Sequence, residues 1–190
     1  MIGLLAAGGL LYLLTRKKKN VILPEVEKFI LKSEGGLSNN PKDPAARNPS
    51  PTPQKYHTNK GVTWSTFVAL SPKLGYQPTV QNFLVMPSEI WQKIYRENYL
   101  KKAQLSDNPV LNAYLSIWYW QGYDKRLLDP KNISQVLASK VPVKQKLADL
   151  VALRKKYYDQ VIARNPDTAV FKKGWYNSAD NFYKTFEKLT

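Results

Sequence analysis

The 190-residue sequence contains no cysteine, which removes disulfides, thiolate metal ligands and thiol nucleophiles together and leaves the redox compartment open. It contains one histidine, His57. A zinc site built from several imidazoles is thereby excluded, and a Ser-His-Asp hydrolase has little support. No metal and no cofactor are expected, and acid–base chemistry falls to carboxylates. Carboxylates are themselves scarce: 14 Asp and Glu stand against 29 Lys and Arg, for a net charge of +15. The excess persists when the cluster Arg16 to Lys19 is set aside, so it belongs to the whole chain. Its field favours polyanionic partners such as nucleic acid, anionic lipid or acidic wall polymers. No zinc-finger, RNP-like or basic-zipper pattern accompanies it, so nucleic acid is not the expected partner. No internal repeat of useful length is present, which excludes a solenoid.

What is abundant is aromatic and apolar. Hydrophobic residues make up 43% and aromatics 12%, with five Trp and twelve Tyr, far from the profile of disordered chains. The length fits one globular domain and an appendage. The appendage is residues 1–20: Ile2 to Thr15 is a nearly unbroken apolar run, followed at once by Arg16, Lys17, Lys18 and Lys19. As a helix the run spans roughly 21 Å at about 1.5 Å per residue, against a hydrocarbon core of roughly 30 Å. A cleaved signal peptide carries its charge before the apolar stretch, and here the order is reversed. The segment reads as an uncleaved membrane anchor with residues 2–19 in the lipid and its headgroups, and residues 21–190 as the globular domain. The positive-inside tendency puts that domain on the cytoplasmic side of a cell membrane.

Within the domain, LPEVEKFILKS (Leu23 to Ser33) has Pro24 early, Glu25 and Glu27 in the first turn, and Val26, Phe29 and Ile30 on one face. This predicts a helix running into Glu34, stopped by Gly35 and Gly36. From Leu37 to Lys60 the sequence is dense in Asn, Ser and Pro, and predicts a long polar loop or small hairpin. Helices are predicted over Ser88 to Lys101, Pro109 to Gln121, Ile133 to Ala138, Val143 to Arg164 and Ala179 to Leu189, with no alternating strand after residue 80. The fold class expected is mainly α. The basic residues along Lys144 to Lys156 read as a solvated helix face.

The pattern that carries chemistry is a carboxylate at a helix end, Glu34, followed nine residues later by Asp43 in a polar loop. A glycosidase needs one carboxyl kept protonated to donate to the leaving oxygen and another kept ionised to activate water or stabilise the transition state. A glutamate beside Phe29 and Ile30 and an aspartate in a wet loop have the contrasting surroundings that split two such groups. By itself, Glu-Gly-Gly is also a common way to end a helix.

Ser33-Glu34-Gly35-Gly36, then Asn40-Pro41-Lys42-Asp43-Pro44, then Thr58-Asn59-Lys60-Gly61-Val62-Thr63-Trp64 resembles the signature of glycoside hydrolase family 108, the N-acetylmuramidases of the lysozyme-like superfamily. A weaker likeness runs through Trp91 to Tyr95, Tyr99, Trp118 to Gly122, Arg154, and Phe171 to Asn177. The resemblance implies a lysozyme-like helical domain that cleaves the β-1,4 bond after N-acetylmuramic acid in peptidoglycan glycan strands. It implies Glu34 as general acid, with Asp43 and Thr58 holding the attacking water. The substrate-binding residues it brings with it are Gly35, Gly36, Asn59 and Thr63, with His57 either on the glycan or capping the loop. Trp120 and Tyr123 are candidates for stacking on sugar rings.

Three departures stand out. Ala45 to His57, with Pro49, Pro51 and Pro53, enlarges the loop and puts the position of Asp43 in question. The acid usual before the aromatic-Gly segment is missing at Ile117-Trp118-Tyr119-Trp120. Ser178 follows Asn177 where the family often has Arg. A lytic transglycosylase, needing Glu34 but not Asp43, and an inactive wall-binding or structural virion protein are the competing readings. A phage virion with an internal membrane, and hence capsid partners, reconciles the inward topology of the anchor with a wall substrate.

Overall fold

The computed structural model of the chain describes residues 23–32, 34–41 and 43–190. The expected anchor, residues 2–19, lies outside them. Among the described residues no helix is long and apolar enough to cross a membrane. The described residues are mainly helical, as the periodicity predicts, and fall into two compact units, one over 25–101 and one over 102–190.

The first unit begins with helix α1, over 23–32, with Glu34 also helical. Val26 and Ile30 are buried, as the one-face pattern predicts, but so is Glu27, at 1% exposure. Arg96 donates two hydrogen bonds to its carboxylate, Nε to Oε1 at 2.6 Å and a terminal nitrogen to Oε2 at 2.9 Å. Three short strands follow, β1 (Leu37–Ser38), β2 (Thr58–Asn59) and β3 (Val62–Thr63), paired antiparallel in the order β1-β2-β3. A short 3-10 turn, Pro44–Arg47, lies in the β1–β2 connection.

Helix α2 (Trp64–Leu70) starts directly from β3, with the Thr63 side chain accepting from the Thr66 N–H, the usual way an N-cap satisfies an orphan donor. Helices α3 (Val80–Leu84) and α4 (Ser88–Tyr95) complete the unit. Its core holds Phe67, Phe83, Met86, Trp91, Ile94 and Tyr95, with Trp91 stacked on Tyr95 at 5.4 Å between ring centroids. The helix predicted from Ser88 to Lys101 is interrupted: after Tyr95 the backbone takes a π turn, Arg96–Leu100, then a 3-10 turn, Lys101–Ala103.

The second unit consists of α5 (Pro109–Trp120), α6 (Pro130–Ala138), α7 (Val143–Arg164) and α8 (Lys172–Phe186). Asn108 caps α5 by accepting from the Val110 and Leu111 N–H groups. Helix α7 buries Leu147, Leu150, Val151, Arg154, Tyr157 and Tyr158, a stripe at helical spacing. Helix α8 starts at Lys172 rather than at Ala179. Trp175 stacks on Tyr158 at 4.9 Å and on Phe171 at 5.8 Å, so tertiary contacts carry the helix through Gly174. Lys144 and Lys155 of the basic stretch are paired with Glu187 and Asp180, so that face is partly neutralised by neighbours rather than wholly solvated.

Arg96 keeps 44% of its side chain exposed whereas Glu27 keeps 2%, and this asymmetry sets an order of effects. Arg96→Met leaves a buried carboxylate without a partner and should destabilise the chain by roughly 2–3 kcal/mol, below the full penalty for a wholly buried pair because Arg96 is half solvated. Glu27→Gln leaves a cation that water reaches and should cost about 1 kcal/mol. Urea unfolding of the two variants checks the order.

Candidate active site

Glu34 stands seven residues after Glu27, about two helical turns further along α1, and is half-buried. Gly35 follows with φ +66°, a left-handed conformation that glycine adopts without strain and that turns the chain out of the helix. A Cβ placed on Gly35 or Gly36 meets nothing within 4 Å, so the chain immediately beyond Glu34 borders open space. The neighbour that electrostatics identifies for Glu34 is Tyr99, in the π turn. Burial raises the Tyr99 phenol above its ordinary value, hydrogen bonds with Asn98 and Thr66 act against that rise, and the Glu34 charge adds to it. Thr66 in turn accepts a hydrogen bond from Thr63 Oγ1 at 2.9 Å.

The strands explain why the other candidates lie together. Ser38 is paired with Thr58, and Thr58 with Thr63. Directly opposed residues project from the same face of a sheet, so three hydroxyl side chains form one row across the three strands. The β2–β3 connection is Lys60-Gly61, with φ +48° and +76°, the two positive values that suit the twist of a tight hairpin. This hairpin is held from several sides. Trp91 Nε1 donates to the Lys60 carbonyl at 2.9 Å, Lys60 Nζ to the Met86 carbonyl at 2.8 Å, and the Lys60 N–H to the Gly36 carbonyl at 2.9 Å.

The β1–β2 loop holds Asp43 beside His57. Its ends are fixed by the β1–β2 pairing and by the His57 N–H donating to the Ser38 carbonyl at 3.0 Å. The interior is tied by its own side chains: Ser50 Oγ donates to the Tyr56 carbonyl at 2.9 Å, the Tyr56 N–H to Thr52 Oγ1 at 3.1 Å, and Asn48 Nδ2 to the Ala45 carbonyl at 2.9 Å. Asp43 Oδ1 accepts from the Ala45 N–H at 2.8 Å and so caps the short Pro44–Arg47 turn. Its other oxygen lies 3.5 Å from His57 Nε2, and His57 directly precedes Thr58. The structure thus brings Asp43, His57, Thr58 and Thr63 to one hairpin, and links Thr63 to the neighbourhood of Glu34 through Thr66 and Tyr99.

Other expected site residues serve packing. Asn59 is 3% exposed, and its amide donates to the carbonyls of Phe83 at 2.7 Å and Leu84 at 3.1 Å, which makes it a post between β2 and the end of α3. His57 is equally buried, and Thr58 is 5% exposed. Trp120 and Tyr123 belong to the second unit. Trp120 is half-buried at the end of α5, while Trp118 is buried. The Tyr123 hydroxyl donates to the Leu128 carbonyl at 2.6 Å, its ring meets Trp118 and Tyr119 edge-on, and burial pushes its phenol up to about 12.

Tyr99 and Thr66 were not among the residues expected at the site. The π turn that holds Tyr99 has no periodicity to betray it, and a threonine inside a helix carries no signal beyond its own identity. Among the described residues no group of three or more His, Cys, Asp or Glu side chains has the arrangement of a metal site.

Comparison with known families finds one match: the family model of glycosyl hydrolase 108 aligns with residues 27–119. That span holds α1 from Glu27, the hairpin and the enlarged loop, and runs into α5. No curated protein and no solved structure matches the chain.

Asn59→Ala tests the packing role. Two buried carbonyls lose their donor, so the variant should lose about 1–3 kcal/mol of stability with little change in substrate affinity. Thermal unfolding beside a wall-binding isotherm checks this, and unchanged stability with weakened binding would restore Asn59 to the substrate.

Proposed function

We propose that this chain, a member of glycoside hydrolase family 108 through residues 27–119, is a lysozyme-like muramidase. It cleaves the β-1,4 bond between N-acetylmuramic acid and N-acetylglucosamine, with Glu34 as proton donor and Asp43 and Thr58 holding the attacking water. The observation that supports this reading is the approach of Asp43 Oδ2 to 3.5 Å from the side chain of His57, the residue that precedes Thr58. A hydrolase needs the second carboxylate, whereas a lytic transglycosylase does not.

The chemistry follows from contrast. Glu34 is half-buried and is, in this reading, the carboxyl that carries the proton. Donation to the glycosidic oxygen lets the bond break while positive charge develops on the departing sugar. The Asp43 carboxylate is 34% exposed, so water reaches it, and with the Thr58 hydroxyl it orients that water toward the anomeric carbon. Gly35 and Gly36, with open space where side chains would be, leave room for the sugar beside the acid. Thr63, at the end of the hydroxyl row, is a further polar contact for the glycan.

The apolar run Ile2 to Thr15 and the cations Arg16 to Lys19 support attachment to a lipid membrane. A virion that carries an internal membrane places such an enzyme where it meets the wall during infection.

Glu34→Gln should lower clearance of purified cell walls by about 10²- to 10⁴-fold or more, and Asp43→Asn by a large part of that, each with the wild-type unfolding curve. New reducing ends without anhydro-muramyl ends mark hydrolysis. Wild type and Glu34→Gln equally inert while both bind walls would instead make the protein a binding module. In flotation with anionic vesicles, the full-length chain should rise with the lipid and a chain starting at residue 21 should not.

A further inference from the structure

We propose that His57 is a positioning residue that orients Asp43 through its Nε2 atom, an inference that rests on the hydrolase reading of the site. The two side chains face each other across the mouth of the enlarged loop. Nε2 is 3.5 Å from Asp43 Oδ2, and it is a buried nitrogen with no hydrogen-bond partner. A buried imidazole nitrogen left unpaired is unfavourable, and the Asp43 carboxylate is the group that faces it. The separation is just too long for a hydrogen bond. Contacts of this kind in free enzymes commonly tighten when substrate arrives, and a movement of a few tenths of an ångström suffices.

The ring is packed at 3% exposure, and its position is set by a backbone held on both sides, the His57 N–H donating to the Ser38 carbonyl at 3.0 Å and its carbonyl accepting from the Trp64 N–H at 3.2 Å. Asp43 has one oxygen already fixed by the Ala45 N–H at 2.8 Å, so a second contact at Oδ2 determines the orientation of the carboxylate while its exposed side remains open to water. Two simpler roles fail on the same observations. At 3% exposure the ring does not reach a glycan, and Nε2 bonds to no loop carbonyl, as a cap would. Residues 45–57 lengthen the loop and so endanger the placement of Asp43. The last of those residues supplies the group that restores it.

The test is a double-mutant cycle on the full-length chain, with wild type, H57A, H57Q, D43N and the H57A/D43N pair, read by steady-state cleavage of soluble glycan strands. Loss of an outer-shell orienting group typically costs about 10- to 100-fold. H57A should therefore lower kcat by that factor with KM within about twofold, and H57Q, whose amide N–H reaches toward Asp43, should recover much of it. Added to D43N, H57A should cost less than about twofold more, because the residue it acts through is already disabled. The His57 Nε2 resonance in 15N spectra should shift in D43N, a readout independent of activity and of whether H57A folds. Additive losses, a change in KM alone, Gln no better than Ala, or an Nε2 resonance indifferent to D43N would each overturn the inference. A wild type as inert as E34Q removes the hydrolase reading and this role with it, whereas an active wild type with an additive cycle removes this role alone.

Discussion

Arg96 forks onto the buried Glu27 carboxylate with hydrogen bonds of 2.6 and 2.9 Å, and the placement of the site follows from that contact. A pair of this type loses much of its Coulomb attraction to desolvation, so its main effect is to fix register rather than to add stability. The planar guanidinium accepts few alternative geometries with a carboxylate. Holding Glu27 therefore fixes the rotation of α1. The same contact sits at the start of the π turn Arg96–Leu100, which contains Tyr99, the phenol whose titration feels the Glu34 charge. π turns of this type recur at functional sites, where one extra backbone residue re-aims a side chain.

The hairpin supplies the second half of the arrangement by a different device. Strands of two residues have little pairing energy of their own, and these are held by contacts from outside the sheet. Asn59 reaches the end of α3, Trp91 of α4 donates to the Lys60 carbonyl, and Thr63 caps α2. Long insertions cost little closure entropy when their ends are pinned. This explains how a proline-rich loop is accommodated between the paired strands β1 and β2.

Much of this was legible in advance and some was not, for identifiable reasons. Helix α7 was found at both ends, and its buried residues Leu147, Leu150, Val151, Arg154, Tyr157 and Tyr158 keep one stripe over about three turns. The start of α8 was missed because Gly174 reads as a breaker until Trp175 is seen to stack on Tyr158 and Phe171. The burial of Glu27 depends on Arg96, 69 residues away, and no local pattern distinguishes it from Glu25. The candidates Glu34, Asp43 and Thr58 were chosen through likeness to a family, which supplies residue types and order. It did not reveal that His57 faces Asp43, since that contact is made by the inserted loop.

The central claim is that the half-buried Glu34 donates a proton to a glycosidic oxygen while Asp43, on the hairpin, holds the water. A crystal structure of the Glu34→Gln chain with a muramic-acid-containing tetrasaccharide addresses it most directly. The account predicts the scissile oxygen within about 2.6–3.2 Å of the residue 34 side chain, with a water between Asp43 and the anomeric carbon. A glycan bound with its scissile bond remote from residue 34, or with Asp43 turned away from the sugar, would contradict it.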